Sequence, residues 1–451
     1  MTSTGSATPN RWTIALAGTL VMICLGTVYS WSLFTRPLAA GFHWSNAVAT
    51  WAFALAIFFL GIGAVIGGRW QDRVGPRNVT LTGVLLWGAG NLLAGIGTNA
   101  LGVWWLYLTY GVIGGLGLGM AYITPVATVT KWFPDKRGFA SGMVVMGFGL
   151  GAFFYNQIVT RVPSFAAAAQ KATGYIAAKD AAAKAGTAFG PSTLPATAQF
   201  GQAEISAVLM VFIASGLIYI IIGGLSAMLL TNPPAGYAIA GATATAAQSG
   251  RNLTPSQTLR TPQFYLLWLM LFLNVTAGIL IISNAVPIYS DLTTASAAAA
   301  GAIYGFLAIF NGLGRFFWGA VSDRIGRNMA YVLIFGIQVI VFLVLGRLHD
   351  FTLVGLCFAI VLLCYGGGFG TMPSFNADYF GTKYLGQNYG MIITAWGFGG
   401  IVGPYIGSTV KDLTGSFTGA LMPVAIMLLV AAILPFITKK PRADATVATM
   451  N

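Results

Sequence analysis

Gly68-Arg-Trp-Gln-Asp72-Arg73-Val-Gly75-Pro-Arg77 and Gly319-Ala-Val-Ser-Asp323-Arg324-Ile-Gly326-Arg327 share one pattern, and their aspartates are separated by 251 positions. Each follows an apolar run long enough to cross a bilayer, 47–68 in one case and 298–321 in the other. A second echo links Gly142-Met143 and Gly147-Phe-Gly149 to Gly390-Met391 and Gly397-Phe-Gly399 at a similar separation. The chain reads as a tandem duplication, for which two parallel halves of six helices are the expected product. An Asp beside an Arg at a helix end, with a glycine permitting a tight turn, suits charge and dipole contacts with a neighbouring helix that hold one gating conformation. The plainer alternative is an ordinary basic loop.

Composition names the solvent. Of 451 residues, 57% are hydrophobic and only 7% charged, with a mean hydropathy of +0.78. A soluble domain carries roughly a quarter charged residues, so this chain cannot cover a water-facing surface. The net charge of +13 does not mark a nucleic-acid binder, because the 23 Lys and Arg fall in short breaks between apolar runs instead of forming a basic face. Cys24, Cys357 and Cys364 lie inside apolar stretches without C-x-x-C spacing or histidine neighbours, so neither a disulfide framework nor a metal site is indicated. No cofactor is expected either.

Stretches of about 20 apolar residues, enough for a helix to cross roughly 30 Å of hydrocarbon, recur at 12–34, 47–68, 79–98, 101–124, 139–160, 205–230, 263–286, 298–321, 328–347, 351–371, 388–410 and 417–437. The expected fold is an all-α integral membrane protein of twelve spans in two pseudo-symmetric halves. Residues 1–11 read as a leader retained with the first span, 12–230 as the first half, 231–262 as a polar linker, 263–437 as the second half and 438–451 as a tail. Within the first half, 161–204 is an alanine-rich loop predicted to form one or two short helices over the outer face. With both termini cytoplasmic, 15 of the 23 basic residues fall on that side, from Arg11, Arg69, Arg73 and Arg77 to Lys439, Lys440 and Arg442, and only seven on the other. That orientation in a bacterial cytoplasmic (inner) membrane is the expectation.

G-x-x-x-D-R-x-G, repeated once per half, resembles the signature loop of the major facilitator superfamily. A narrower resemblance rests on Val28-Tyr29-Ser30-Trp31-Ser32-Leu33, Lys131-Trp132-Phe133-Pro134-Asp135-Lys136-Arg137-Gly138, Leu259-Arg260-Thr261-Pro262-Gln263-Phe264 and Gln387-Asn388-Tyr389-Gly390. Together these look like the oxalate/formate antiporter family, which includes carriers of lactate- and pyruvate-type monocarboxylates.

The remaining basic residue, Arg315, lies eight positions before Asp323, hence about 12 Å up the helix and near the bilayer midplane. Burying a guanidinium there costs from about 2.5 to over 10 kcal/mol, so it is expected to face a wet cavity and a partner. None of the ten acidic residues falls mid-span. A substrate carboxylate is therefore the expected partner, since the planar fork matches two oxygens; pairing with helix carbonyls or a protein acid is the alternative. The resemblance points to the same place, because that family's helix 8 carries a substrate-binding Arg in the segment matched by Asn311-Gly-Leu-Gly-Arg315-Phe-Phe-Trp-Gly319. Asn311 and Tyr304 precede Arg315 by 4 and 11 residues and share its helical face, although an interhelical hydrogen bond would explain Asn311 equally. Tyr29 and Tyr122 are single phenols in apolar surroundings that the resemblance places near the central site; packing or an interfacial position is the competing reading. Tyr365 and Phe369 match positions that are aromatic in the family's binding region, with core packing the rival for Phe369.

The pattern departs from the oxalate-transporting members at Trp396. Those members carry a Lys six residues after Asn-Tyr-Gly, the position Trp396 occupies here. A dianion would lose one of two cations, and an uncompensated charge in a low-dielectric cavity costs several kcal/mol. A small monocarboxylate such as lactate, pyruvate or formate is accordingly favoured over oxalate, moved by alternating access with proton symport or exchange against a counter-anion. Asp291, near the outer end of helix 7, is the candidate proton carrier. The rival of proton-driven drug efflux lacks the embedded acids it needs, and a non-transporting carboxylate sensor lacks an effector domain. An enzyme is disfavoured because the spans hold no nucleophile, base and orienting partner. The expected partners are the anion, the coupling ion and the bilayer, with the chain a monomer.

Overall fold

The computed structural model describes residues 9–187, 189, 190, 194, 199–234, 236, 237, 252–293, 295, 303, 305–414 and 417–441. α1 (Arg11–Gly26) begins where the Asn10 side chain accepts from the Trp12 amide, satisfying a donor that the first turn cannot. A 3-10 turn, Thr27–Ser30, leads into α2 (Ser32–Phe42). Ser45 caps α3 (Asn46–Val74) in the same way as Asn10 caps α1. The helix ends on Gly75 at φ 89°, a left-handed turn that a side chain would strain.

α4 (Pro76–Leu106) corrects the sequence reading. A break was expected between 98 and 101, but the helix continues and the chain reverses at Gly102, whose φ of 72° and ψ of −157° only glycine adopts readily. On either side the chain folds back closely on itself: a Cβ on Gly83 would lie 2.5 Å from the Ala121 nitrogen, and one on Gly90 2.6 Å from the Thr109 carbonyl. A π-helical stretch, Tyr107–Gly114, then runs into α5 (Gly115–Trp132). α6 (Arg137–Val159) follows, then α7 (Pro163–Lys184), and α8 (Gln202–Ile218) continues through a π turn, Tyr219–Gly223, into α9 (Gly224–Met228).

Within the stretch expected as linker, 231–262, lies α10 (Pro255–Leu259); α11 (Pro262–Thr293), α12 (Ile309–Ile325), α13 (Arg327–Leu345), α14 (Phe351–Phe380), α15 (Leu385–Thr414), α16 (Leu421–Ala431) and α17 (Leu434–Ile437) follow. Between α12 and α13, Gly326 at φ 88° repeats the turn of Gly75. Among the described residues, ten helical segments are long and apolar enough to cross a membrane, and one of them, Pro76–Trp132, is the folded-over pair. α12 supplies 17 residues of the remaining span, and Tyr304 lies outside the described residues. The architecture is twelve spans in two groups of six.

The halves meet along two seams, α6 on α12 and α3 on α15. Lipid gives helices little hydrophobic reason to associate, so close approach of small residues must hold them together. On the first seam a Cβ on Gly319 would sit 2.5 Å from the Gly138 carbonyl and one on Gly142 2.5 Å from the Arg315 carbonyl, while Gly149 packs on Gly312. On the second, Gly68 packs on Gly386 and Gly390 on Ala64.

On the face opposite the two Asp-Arg turns, the expected loop is a single helix, α7. Its Phe165, Ala168, Ala172 and Tyr175 are buried. Tyr175 meets the His43 ring nitrogen at 2.8 Å, and Lys171 pairs with Glu204 of α8.

Candidate functional site

α12 carries Asn311 and Arg315 one turn apart, and both are buried, Arg315 completely. The Arg315 Nε donates to Asn311 Oδ1 at 3.2 Å. Among the described residues its two buried terminal nitrogens, Nη1 and Nη2, complete no hydrogen bond of ordinary geometry and Arg315 forms no ion pair, while the Tyr29 and Tyr122 phenols lie close enough to interact with it. The guanidinium carbon instead sits 5.2 Å from the centre of the Phe148 ring and 4.7 Å from that of Phe369. Ring faces attract a cation, by about 2 kcal/mol or more where water is excluded, but they leave N–H groups unsatisfied.

Aromatic side chains from both halves surround this group. Trp396 of α15 lies 4.6 Å from Phe369, 5.3 Å from Phe148, 5.4 Å from Tyr122 and 5.9 Å from Tyr29, ring centre to ring centre. Tyr365 stacks edge-on with Phe369 at 5.3 Å, and its hydroxyl meets that of Tyr29 at 2.6 Å across the interface between halves. Tyr29 and Tyr122 both lie within electrostatic reach of Arg315. The backbone of α14 can come this close because Gly366 and Gly370 lie against the carbonyls of Asn311 and Arg315, leaving no room for a Cβ. Tyr29 is placed by the 3-10 turn that interrupts the first span.

Seven of the residues singled out in the sequence, Arg315, Asn311, Tyr29, Tyr122, Tyr365, Phe369 and Trp396, thus come together in one cage. Asp291 does not join them: it is exposed at the far end of α11. Two residues were missed. Phe148 sits inside the repeated Gly-Phe-Gly string and was read only as part of the echo. Tyr389 sits inside the Asn-Tyr-Gly string; its buried hydroxyl faces that of Tyr122 from the other half.

The two Asp-Arg turns lie together on one face. Asp72 accepts from the Gln387 backbone amide at 2.9 Å, at the start of α15, with Lys131 Nζ 3.6 Å away. Asp323 accepts from the Gly138 and Phe139 amides at 2.9 and 2.8 Å, at the start of α6. Each carboxylate therefore caps the N-terminus of a helix in the opposite half, where unsatisfied amides and the helix dipole favour an anion. Asp378 on α14 accepts from Arg137 and Arg327, each at 3.0 Å, and Arg327 also reaches Asp323 at 2.6 Å. Arg73, Arg77 and Arg324 are exposed and make no ion pair among the described residues. Gly68 and Gly319 are the contact points of the two seams, and Gly75 and Gly326 make the turns.

Twelve spans, two duplicated halves and a buried polar centre to which both contribute define a membrane transporter rather than an enzyme. Residues 15–160, 162–404 and 294–449 match the Major Facilitator Superfamily, and the chain belongs to it. It is similar to the oxalate:formate antiporter of Oxalobacter formigenes, 28% identical over 432 residues that cover 95% of this chain and 91% of that protein. It is also similar to apicoplast pyruvate carrier 1 of Toxoplasma gondii, 27% identical over 464 residues, 85% of this chain and 81% of that one. Among solved structures, the Escherichia coli fucose:proton symporter FucP superimposes with a TM-score of 0.67 at 16% identity, covering 95% of this chain and 100% of that one.

Proposed function

We propose that the chain carries a small monocarboxylate such as lactate, pyruvate or formate by alternating access, with the carboxylate held on Arg315. The observation that supports this is the open fork: among the described residues Nη1 and Nη2 are buried donors that face phenols and ring faces and meet no carboxylate, in a cage closed by groups from both halves. An unsatisfied buried donor costs about 1 to 3 kcal/mol, more when charged, and a carboxylate satisfies two at once. Trp396 stands where oxalate-carrying relatives are expected to place a second cation, so one positive charge meets one negative charge. Tyr29, Tyr122, Tyr365, Phe369, Trp396 and Asn311 wall the site, and Tyr304, five residues before the start of α12, is proposed to join them.

Bound and free states are exchanged by rocking the halves about this centre. The capping aspartates Asp72 and Asp323 latch one face, which the distribution of basic residues favours as cytoplasmic; both termini and the 231–262 linker then lie on the cytoplasmic side of a bacterial inner membrane, and the chain acts as a monomer. Coupling is to a proton, with Asp291 as carrier, or to a counter-anion.

Uptake of labelled lactate, pyruvate, formate and oxalate into proteoliposomes, with and without a pH gradient or internal anion, tests the reading. Arg315→Ala removes a charge-assisted pair of hydrogen bonds and is expected to lower transport at least about a hundredfold. Full retention in a folded protein overturns the site. Oxalate as the preferred cargo, exchanged for formate, would instead place the chain with its Oxalobacter relative in activity.

A further inference from the structure

Asn274, Gln338 and Tyr331 form a buried polar rack that the carboxylate site does not use. Asn274 on α11 donates to the Tyr365 carbonyl at 3.0 Å, and Gln338 on α13 donates to Asn274 Oδ1 at 3.0 Å. Tyr331, also on α13, donates to the Gly368 carbonyl at 2.8 Å. All three side chains are completely buried. Their targets are the carbonyls that bracket Gly366-Gly367-Gly368, the most pliable turn of α14, since three successive glycines carry no side chain to restrict the backbone. The fit is close: a Cβ on Gly368 would overlap the Asn274 amide, and one on Gly278, a helical turn beyond Asn274, would overlap the Tyr365 ring.

Amides in the middle of a membrane span need a reason, because apolar side chains would pack there without polar groups to satisfy. Packing alone does not supply it, as the buried Gln338 Oε1 meets no donor among the described residues. The reason visible in the geometry is aim. Tyr365 has its ring seated on Gly278, its carbonyl fixed by Asn274 and its hydroxyl on Tyr29 of the other half. Gln338 fixes which way the Asn274 amide faces, so that nitrogen and not oxygen meets the carbonyl.

We infer that Asn274 and Gln338 are positioning residues, which hold the glycine turn of α14 so that Tyr365 meets Tyr29 and closes the cage across the two halves. This rests on the reading of Tyr365 as a wall of the cargo site.

The test is a double-mutant cycle on uptake kinetics, with detergent-solubilised melting as the check on folding. Gln338→Met removes the second link while keeping the volume, and Asn274→Leu removes the first. Each is expected to lower uptake about threefold to tenfold, mainly through KM, the factor that one interhelical hydrogen bond represents. In the Tyr365→Phe background, which has no hydroxyl to aim, the same substitutions are expected to cost little further. Equal losses in the two backgrounds overturn the inference, as do losses that only track the melting temperature or a Gln338→Met chain that yields no folded protein. If Tyr365→Phe and Arg315→Ala themselves leave uptake unchanged, the site reading has failed; if they impair it and Gln338→Met does not, only the positioning role has.

Discussion

Trp396→Lys places a second cation in the cage, and its effect can be worked from the rings. The Trp396 centre is 4.6 Å from that of Phe369, which is 4.7 Å from the Arg315 guanidinium carbon. The Trp396 ring centre is therefore no more than about 9 Å from Arg315, and for a lysine ammonium taken at about 7 Å, with an effective dielectric constant of about 20, the two unit charges interact by about 2.4 kcal/mol. In the empty protein the sign is repulsive. A monocarboxylate between the cations neutralises only one of them, whereas oxalate neutralises both and gains a second attraction of similar size. That energy corresponds to roughly fiftyfold in relative affinity, and freezing a flexible lysine reduces it, leaving about tenfold. The assay is competition: labelled substrate taken up by proteoliposomes, displaced by unlabelled oxalate or formate, wild type against Trp396→Lys. The oxalate-to-formate preference is expected to rise about tenfold, while lost ring packing lowers the melting temperature. A folded variant whose preference ratio is unchanged, or falls, refutes both the placement of Trp396 against the cargo and the argument that one charge selects a monocarboxylate.

The latch can be perturbed separately from the cage. Asp323→Asn weakens two charge-assisted bonds to the start of α6, each worth roughly 1.5 to 3 kcal/mol, so a reporter cysteine between the halves on the latched face should become at least about tenfold more reactive; unchanged reactivity would show that these caps do not hold the conformation. Uptake should be faster into vesicles preloaded with unlabelled substrate than into empty ones, because a guanidinium cannot shed its proton and an unloaded site must turn over with its charge uncompensated. Equal rates with and without internal substrate would exclude that constraint.

Most of the fold was legible because membrane physics leaves few choices. Every span must satisfy its own backbone, so apolar length counts helices, and an Asp-Arg pair recurring after 251 residues counts halves. The reversal between α4 and α5 was misplaced because its determinant is one glycine, Gly102, among many others in the same run, and a residue that permits a turn does not by itself require one. Arg315 was legible from isolation alone: a single mid-span charge has to face something. Phe148 was not, because its role depends on which face of α6 meets α12, and glycines on both sides of it conceal any helical periodicity. Asn274 and Gln338 escaped for a similar reason. An uncharged amide in a span is ambiguous until its partner is known, and these partners are 64 residues apart on different helices. The donors to Asp72 and Asp323 are backbone amides, which no residue type announces.

Loading and switching are joined by α12 itself. Arg315 and Asp323 are eight residues apart on an uninterrupted helix, about 12 Å, with Gly319 between them against Gly138. On the proposed rocking of the halves, opening the latched face moves α12 relative to α6, and release of the Gly138 and Phe139 amides by Asp323 then shifts the guanidinium relative to Gly142 and Phe148. The surroundings of Arg315 divide unequally in that movement. Asn311 and Phe369 belong to its own half and travel with it, whereas Phe148, Tyr29 and Tyr122 belong to the other and stay behind. The cation keeps one ring and one hydrogen bond and loses its contacts across the interface. On the proposed reading a carboxylate on Nη1 and Nη2 travels with Arg315 and neutralises it, so the ligand that satisfies the fork would also remove the main electrostatic cost of separating the halves.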